Sequence, residues 1–281
     1  MSKNGYWFTA ETARLVLGAL DRGEETIELS VDLNISRNSF LLGENILILD
    51  MENRLNRIEL EQIAGKKQRI FYLEGGELLP LEVRSAGYYK LVPTDQAPLL
   101  EISGVKMHIS KGINPFESAG QMTAQAVKRG NKVLDTCGGL GYAASTALRL
   151  GAREVVSVEM SPIVAALRQK NPWSQRLYGP GISLVEADIN DYIQRLATAS
   201  FDAIIHDPPR FSLAAELYGE IFYRELYRVL KKRGKLFHYT GNPHLLKRGS
   251  SFIDKAAQRL KMVGFTNVVK IDSLMGITAV K

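Results

Sequence analysis

The feature that most constrains this chain is the stretch Val133-Leu134-Asp135-Thr136-Cys137-Gly138-Gly139-Leu140-Gly141-Tyr142. A short apolar run ends on an acid, three glycines follow within four positions, and an alanine-rich segment begins. The pattern predicts a strand, a tight turn and a helix. Glycine permits sharp turns and close approach of backbone to a ligand, and a helix start adds partial positive charge. Such turns also end ordinary strands, so the residues that follow decide the meaning of this one.

From Lys132 onward strand and helix patterns alternate. Strands are expected near 132–136, 154–159, 182–187, 202–206 and 235–240, with helices near 140–150, 162–170, 189–197 and 215–231. A further helix near 250–263 precedes strand-like Asn267 to Ile271 and Ile277 to Val280. Five βα units imply a mostly parallel, doubly wound sheet with right-handed crossovers. Only the short turn Asp272 to Gly276 separates the last two strands, so they should pair as a hairpin. The expectation is an α/β fold: a Rossmann-like, seven-stranded doubly wound sheet with a C-terminal β-hairpin.

Upstream the pattern differs. Phe8 to Leu20 reads as a helix capped by Thr9, and Thr26 to Val92 reads as short strands with a short helix over Arg57 to Ala64. We expect a small α+β accessory or substrate-placement domain over 1–105 and a catalytic domain over 106–281. Pro93 to Pro98 reads as a connection between strands. Tyr88-Tyr89-Lys90 reads as strand packing rather than a base-stacking platform, and nothing upstream carries a catalytic pattern.

Composition narrows the class. In 281 residues no apolar run approaches a membrane span, and the N-terminus lacks a charged-then-apolar leader pattern, so a cytoplasmic protein is expected. One cysteine cannot form an internal disulfide, and no Cys/His spacing fits zinc, so no metal is expected. The net charge of +6 is unevenly divided: residues 1–105 carry −5 and residues 106–281 carry +11. A polyanionic partner would therefore meet its attraction in the glycine-rich part.

In an open parallel sheet the ligand site lies at the carboxyl ends of the strands. Asp135 ends the first strand. Glu159 ends the second, 24 residues later, near the spacing of an acid that accepts from a ribose diol. Met160 follows it, placed to pack on an adenine face. The third strand ends at Glu186-Ala187-Asp188, where Asp188 can receive an adenine amino group. One such carboxylate is often only a helix cap. Three in register with a glycine turn read as a nucleoside site.

Residues 112–281 resemble the class I S-adenosylmethionine-dependent methyltransferases in the glycine motif, Glu159, Asp188 and the terminal hairpin. The whole chain further resembles a group of predicted archaeal methyltransferases through Val133 to Tyr142, Asn171-Pro172-Trp173-Ser174, His206-Asp207-Pro208-Pro209-Arg210-Phe211-Ser212 and Leu236-Phe237-His238-Tyr239-Thr240-Gly241. The resemblance implies S-adenosylmethionine as cofactor, lying across Asp135, Thr136, Cys137, Gly138, Gly139 and Gly141, with Glu159, Met160 and Asp188 around the nucleoside.

The fourth strand carries the substrate clue. Phe201 to His206 is a buried-strand pattern that breaks at Asp207-Pro208-Pro209-Arg210. Proline removes amide donors and fixes the chain, leaving carbonyls free to accept. The Asp207 carboxylate and the Pro208 carbonyl together suit a planar –NH2 group. The motif resembles the (Asp/Asn/Ser)-Pro-Pro-(aromatic) signature of methyltransferases that act on base amines or glutamine amide. Here Arg210 takes the aromatic position and Phe211 comes next, and a guanidinium can stack on a base or meet phosphate. Pro209, Arg210 and Phe211 are therefore candidate substrate contacts. His206 and His238 end neighbouring strands and could orient Asp207 or the substrate.

Cys137 lies in the cofactor turn, away from the fourth-strand motif, so covalent catalysis through its thiol is not expected. The group Lys231-Lys232-Arg233-Lys235 reads as the end of an exposed helix, whereas Lys247-Arg248 follows the fifth strand and is the better candidate for phosphate contact. These residues define an expected S-adenosylmethionine-dependent N-methyltransferase acting on an exocyclic base amine in RNA. Cytosine N4 of ribosomal RNA is preferred over adenine N6 and guanine N2, with transfer RNA as another carrier. The alternatives are a methyltransferase for a protein side chain or small amine, an aminopropyltransferase, and a non-catalytic RNA-binding assembly factor.

Overall fold

Blocks dense in Val, Ile, Leu and Phe, long enough to be covered on both faces, build the second part of the chain. The structure is a computed structural model that describes residues 5–109, 112–241 and 252–281. It divides into two compact units, Met1–Pro115 with Gln169–Trp173, and Phe116–Arg168 with Ser174–Lys281.

The first unit holds three small antiparallel sheets and two helices, Ala10–Asp21 and Arg57–Ala64. Both helices start where the sequence places a cap: Thr9 Oγ1 accepts from the Thr12 amide at 3.2 Å, and Asn56 forms a capping box with Glu59. Their apolar stripes meet strand residues in a core that includes Phe8, Ala13, Val16, Leu47, Leu55, Leu60 and Ile63. Within this unit Trp7 Nε1 donates to the Lys170 carbonyl at 2.7 Å, and Trp173 Nε1 to the Leu33 carbonyl at 2.9 Å. Tyr88 and Tyr89 lie in the strand Tyr88–Val92, where the Tyr88 hydroxyl donates to Glu82 at 2.6 Å.

The second unit is built on one seven-stranded sheet. Its strands are β1 (Lys132–Asp135), β2 (Glu154–Glu159), β3 (Ile182–Glu186), β4 (Phe201–His206), β5 (Leu230–Tyr239), β6 (Thr266–Ile271) and β7 (Gly276–Val280). The spatial order is β3-β2-β1-β4-β5-β7-β6. The first five are parallel, and β7 runs antiparallel between β5 and β6. The α/β expectation and the closing hairpin both hold.

The helices of this unit are α1 (Pro115–Ala124), α2 (Tyr142–Arg149), α3 (Pro162–Gln169), α4 (Ile189–Arg195), α5 (Glu220–Val229) and α6 (Phe252–Val263). Helix α5 buries Phe222, Tyr223, Leu226 and Val229 at three- and four-residue spacing, which turns one stripe onto the sheet. Each such side chain contributes about 1.5–3 kcal/mol when fully buried. With α6 and the sheet these residues form the main core.

One basic group sits differently from expectation. Lys231, Lys232, Arg233 and Lys235 belong to strand β5, because α5 ends at Val229. Lys231 Nζ pairs with Asp202 at 2.7 Å, Arg233 takes φ 64°, and the β4–β5 register shifts between Phe201 and Ala203. The irregularity lets a charged, locally twisted segment continue a strand. Lys247 and Arg248 lie outside the described residues.

Candidate active site

Strand order reverses at β1, so β1 and β4 part toward opposite sides and leave a crevice at their carboxyl ends. Asp135 ends β1 and Asp207 follows β4. Register and pleat sort the neighbouring side chains. Asp135 pairs with Ser157 of β2 and with Ile205 of β4, and Ile205 pairs with Phe237 of β5. Side chains two residues apart share a face, so Asp135, Glu159, Asp207 and Tyr239 project to one side of the sheet. Thr136, His206 and His238 project to the other.

The second face is closed. His206 and His238 are 0% exposed, and their rings pack tilted by 34° with centroids 4.5 Å apart. His206 Nε2 lies 2.9 Å from the Leu217 carbonyl, which can only accept, so this nitrogen carries the proton. Nδ1 must then accept from Thr136 Oγ1 at 2.8 Å. His238 Nδ1 donates to the His206 carbonyl at 3.3 Å, and Nε2 accepts from the Tyr223 hydroxyl at 2.8 Å. Burial pushes both imidazoles below their ordinary pKa, to about 4 for His206. With every ring nitrogen taken, neither histidine reaches a substrate. They fix the ends of β4 and β5 from beneath.

Thr136 lies on the same closed face. Its amide donates to the Ile205 carbonyl at 3.1 Å, and its buried hydroxyl serves His206. It ties β1 to β4 and presents no side chain to a cofactor.

The glycine turn is built to fit closely. A Cβ on Gly138 would stand 2.5 Å from Ser157 Oγ, and one on Gly141, at φ +78°, would stand 2.0 Å from Leu177. Gly139, at φ +50°, has nothing within 4 Å of its Cβ position, so its outer face is open to a ligand. The Gly139 amide donates to Glu159 Oε2 at 2.8 Å, and Ser161 donates to Oε1 at 2.8 Å, so two amides hold the carboxylate beside the turn. Met160 is 66% exposed just beyond. Asp188 is the cap of α4, where its Oδ1 accepts from the Asn190 amide at 2.8 Å and its Oδ2 has no partner among the described residues.

Asp135 is the most enclosed of the acids. Its Oδ2 accepts from Ser157 Oγ at 2.8 Å, and its Oδ1 has no partner in hydrogen-bond geometry, the Cys137 amide being near enough only to favour the charged form. Burial raises its pKa to about 6, opposed by the Ser157 bond and by the charge of buried Arg168. An orphaned buried oxygen beside an open glycine turn, with a fixed carboxylate at the next strand end, fits a nucleoside cofactor that brings its own donors. Burial also raises the Cys137 thiol, with the charges of Glu159, Asp135 and Asp207 adding to it. A thiol so placed stays protonated and is no nucleophile.

Asp207 is half-buried, and no described residue donates a hydrogen bond to it. Desolvation, then the charge of Asp135, raises its pKa to about 7. The following turn is braced from below: the Tyr218 hydroxyl donates to the Pro209 carbonyl at 2.8 Å and lies 3.5 Å from that of buried Pro208. Tyr218 also packs with Phe211 and Phe252, ring centroids 5.2–5.7 Å apart. Phe211 remains 46% exposed, and Arg210 is exposed. The bracing by Tyr218 was not visible in the sequence, because nothing local marks a tyrosine ten residues on as a partner of the proline turn.

Among the described residues no group of three or more His, Cys, Asp or Glu side chains is placed to hold a metal ion, and no helix is long and apolar enough to cross a membrane.

Residues 134–238 match the family model of a methyltransferase domain. An uncharacterized protein of Methanocaldococcus jannaschii is 42% identical over 279 residues, spanning 96% of this chain and 94% of its own. Among solved structures, a spermidine synthase in complex with the transition-state analogue AdoDATO aligns with TM-score 0.60 at 18% identity, over 73% of this chain and 76% of that one. The spermidine synthase from Thermotoga maritima aligns with TM-score 0.55 at 18% identity, over 73% and 75%. At that identity the likeness is one of fold.

Proposed function

We propose that this chain, which belongs to one family with the Methanocaldococcus jannaschii protein and carries a methyltransferase domain over residues 134–238, methylates an exocyclic base amine in RNA with S-adenosylmethionine as donor, and that cytosine N4 of ribosomal RNA is the preferred target. One observation carries the reading. Asp207, on the cofactor face at the switch point, is a carboxylate with no donor among the described residues, beside a proline carbonyl in a turn that Tyr218 braces.

S-adenosylmethionine supplies, when bound, an electrophilic methyl group on a sulfonium. Glu159 and the turn from Asp135 to Gly141 would hold it, with Met160 and Asp188 at its nucleoside end. An –NH2 group has two donors and needs two acceptors if it is to leave water without loss. Asp207 provides one and the Pro208 carbonyl the other. Bonds to both protons draw the amine out of conjugation with its ring and turn the lone pair toward the methyl side. The base must leave its stack to reach this crevice, and Phe211 and Arg210 lie exposed at its rim to receive a ring and a phosphate. Asp207 then takes the proton that the methylated amine sheds and passes it to water. Positioning and fixed charge carry the acceleration.

The test is transfer of tritium from S-[methyl-3H]-adenosylmethionine to RNA and to protein fractions. Asp207→Ala should lower transfer to RNA at least roughly 100-fold while cofactor affinity stays within a few-fold. Loss of cofactor affinity in that variant would assign Asp207 to the cofactor. Label found on protein alone would favour a side-chain substrate. Activity only with decarboxylated S-adenosylmethionine would favour aminopropyl transfer.

A further inference from the structure

Tyr239 ends β5 one residue past His238, and His238 pairs in register with His206 of β4. Asp207 stands one residue past His206. Both side chains therefore leave the closed histidine face and share the side of Asp135, on strands about 4.8 Å apart. Tyr239 is half-buried, and among the described residues nothing hydrogen-bonds its hydroxyl. Its surroundings are those of Asp207: burial pushes the phenol up to about 12, the Asp207 charge adds to this, and Arg210 opposes it. The group stays protonated and is a donor in search of an acceptor.

We propose that Tyr239 is a specificity-determining residue whose hydroxyl donates to the ring nitrogen adjoining the target amine. The inference rests on the base-amine reading above and sharpens it. Cytosine and adenine both present an amine donor next to a bare ring-nitrogen acceptor. Their deaminated counterparts, uracil and hypoxanthine, present a carbonyl next to an N–H and reverse the pattern. An acceptor at Asp207 beside a donor at Tyr239 is complementary to the first pair and mismatched to the second. Pro208 and Pro209, which follow Asp207, have no amide hydrogen to offer there.

The experiment uses the full chain, S-[methyl-3H]-adenosylmethionine, and RNA purified from a strain deleted for the gene. Tyr239→Phe keeps the ring and removes only the hydroxyl. Its kcat/KM on this RNA should fall roughly 10- to 100-fold, with cofactor affinity by calorimetry within two-fold of wild type. Wild-type kcat/KM in Tyr239→Phe overturns the inference and leaves the base-amine reading standing. A parallel loss of cofactor affinity also overturns it, by placing the hydroxyl at the cofactor. If the wild-type enzyme puts no label into this RNA, the base-amine reading falls and takes the inference with it.

Discussion

At the scale of single residues the site is governed by carboxylates that are costly to ionise. Burial raises Asp135 to about 6 and Asp207 to about 7. An amine acceptor must be ionised to take two roles, bond acceptor and proton acceptor. The sign follows: below about pH 7 Asp207 is protonated and offers a hydrogen where an acceptor is needed, and above it the carboxylate is available. The rate at saturating substrates should therefore rise with pH through an inflection near 7 and level off above it. Asp207→Asn should lose that inflection together with most of the rate. A wild-type profile flat from pH 5.5 to 8.5 would contradict a role for the ionised carboxylate. The histidines give no competing titration in this range, since both are sealed and held neutral.

At the scale of elements the glycine turn and the fourth-strand exit do different work. Gly138 packs so closely on β2 that a methyl group there would displace Ser157, the donor to Asp135. Gly138→Ala should weaken S-adenosylmethionine binding at least roughly tenfold, as the turn and the Asp135 side chain shift together. Calorimetry showing unchanged affinity would mean that the turn tolerates the shift. Most elements were legible because their signals are local. The strands of the sheet are short apolar blocks, and α5 repeats its large residues at helical spacing. Strand β5 is longer than its sequence pattern suggests, since Lys231-Lys232-Arg233 looks like a helix end and only the pairing with β4 draws it into the sheet. Helix α1 carries no clear sequence signal, as Pro115 to Ala124 mixes glycine, serine and threonine with few large apolar residues. That Thr136, His206 and His238 share the closed face of the sheet is not legible in the sequence. The face a strand-end side chain takes depends on register with its neighbours, and register is not written in one strand.

At the scale of the whole molecule, charge and chemistry coincide. Residues 106–281 carry +11 against −5 for residues 1–105, so the positive charge belongs to the same stretch as the cofactor turn and Asp207. On the proposed reading, that division would draw an anionic polymer toward the catalytic unit without choosing its sequence. Choice would then fall to the crevice, where the proposal sets Asp207, Pro208 and Tyr239 against the target. The central claim is that this crevice methylates a base amine in RNA, and it is tested most directly in the cell. Nucleoside mass spectrometry of ribosomal and transfer RNA from a deletion strain should show the loss of one amine-methylated nucleoside, N4-methylated cytidine first among them. The wild-type gene should restore it and the Asp207→Ala gene should not. An unchanged set of methylated nucleosides in the deletion strain would contradict the account.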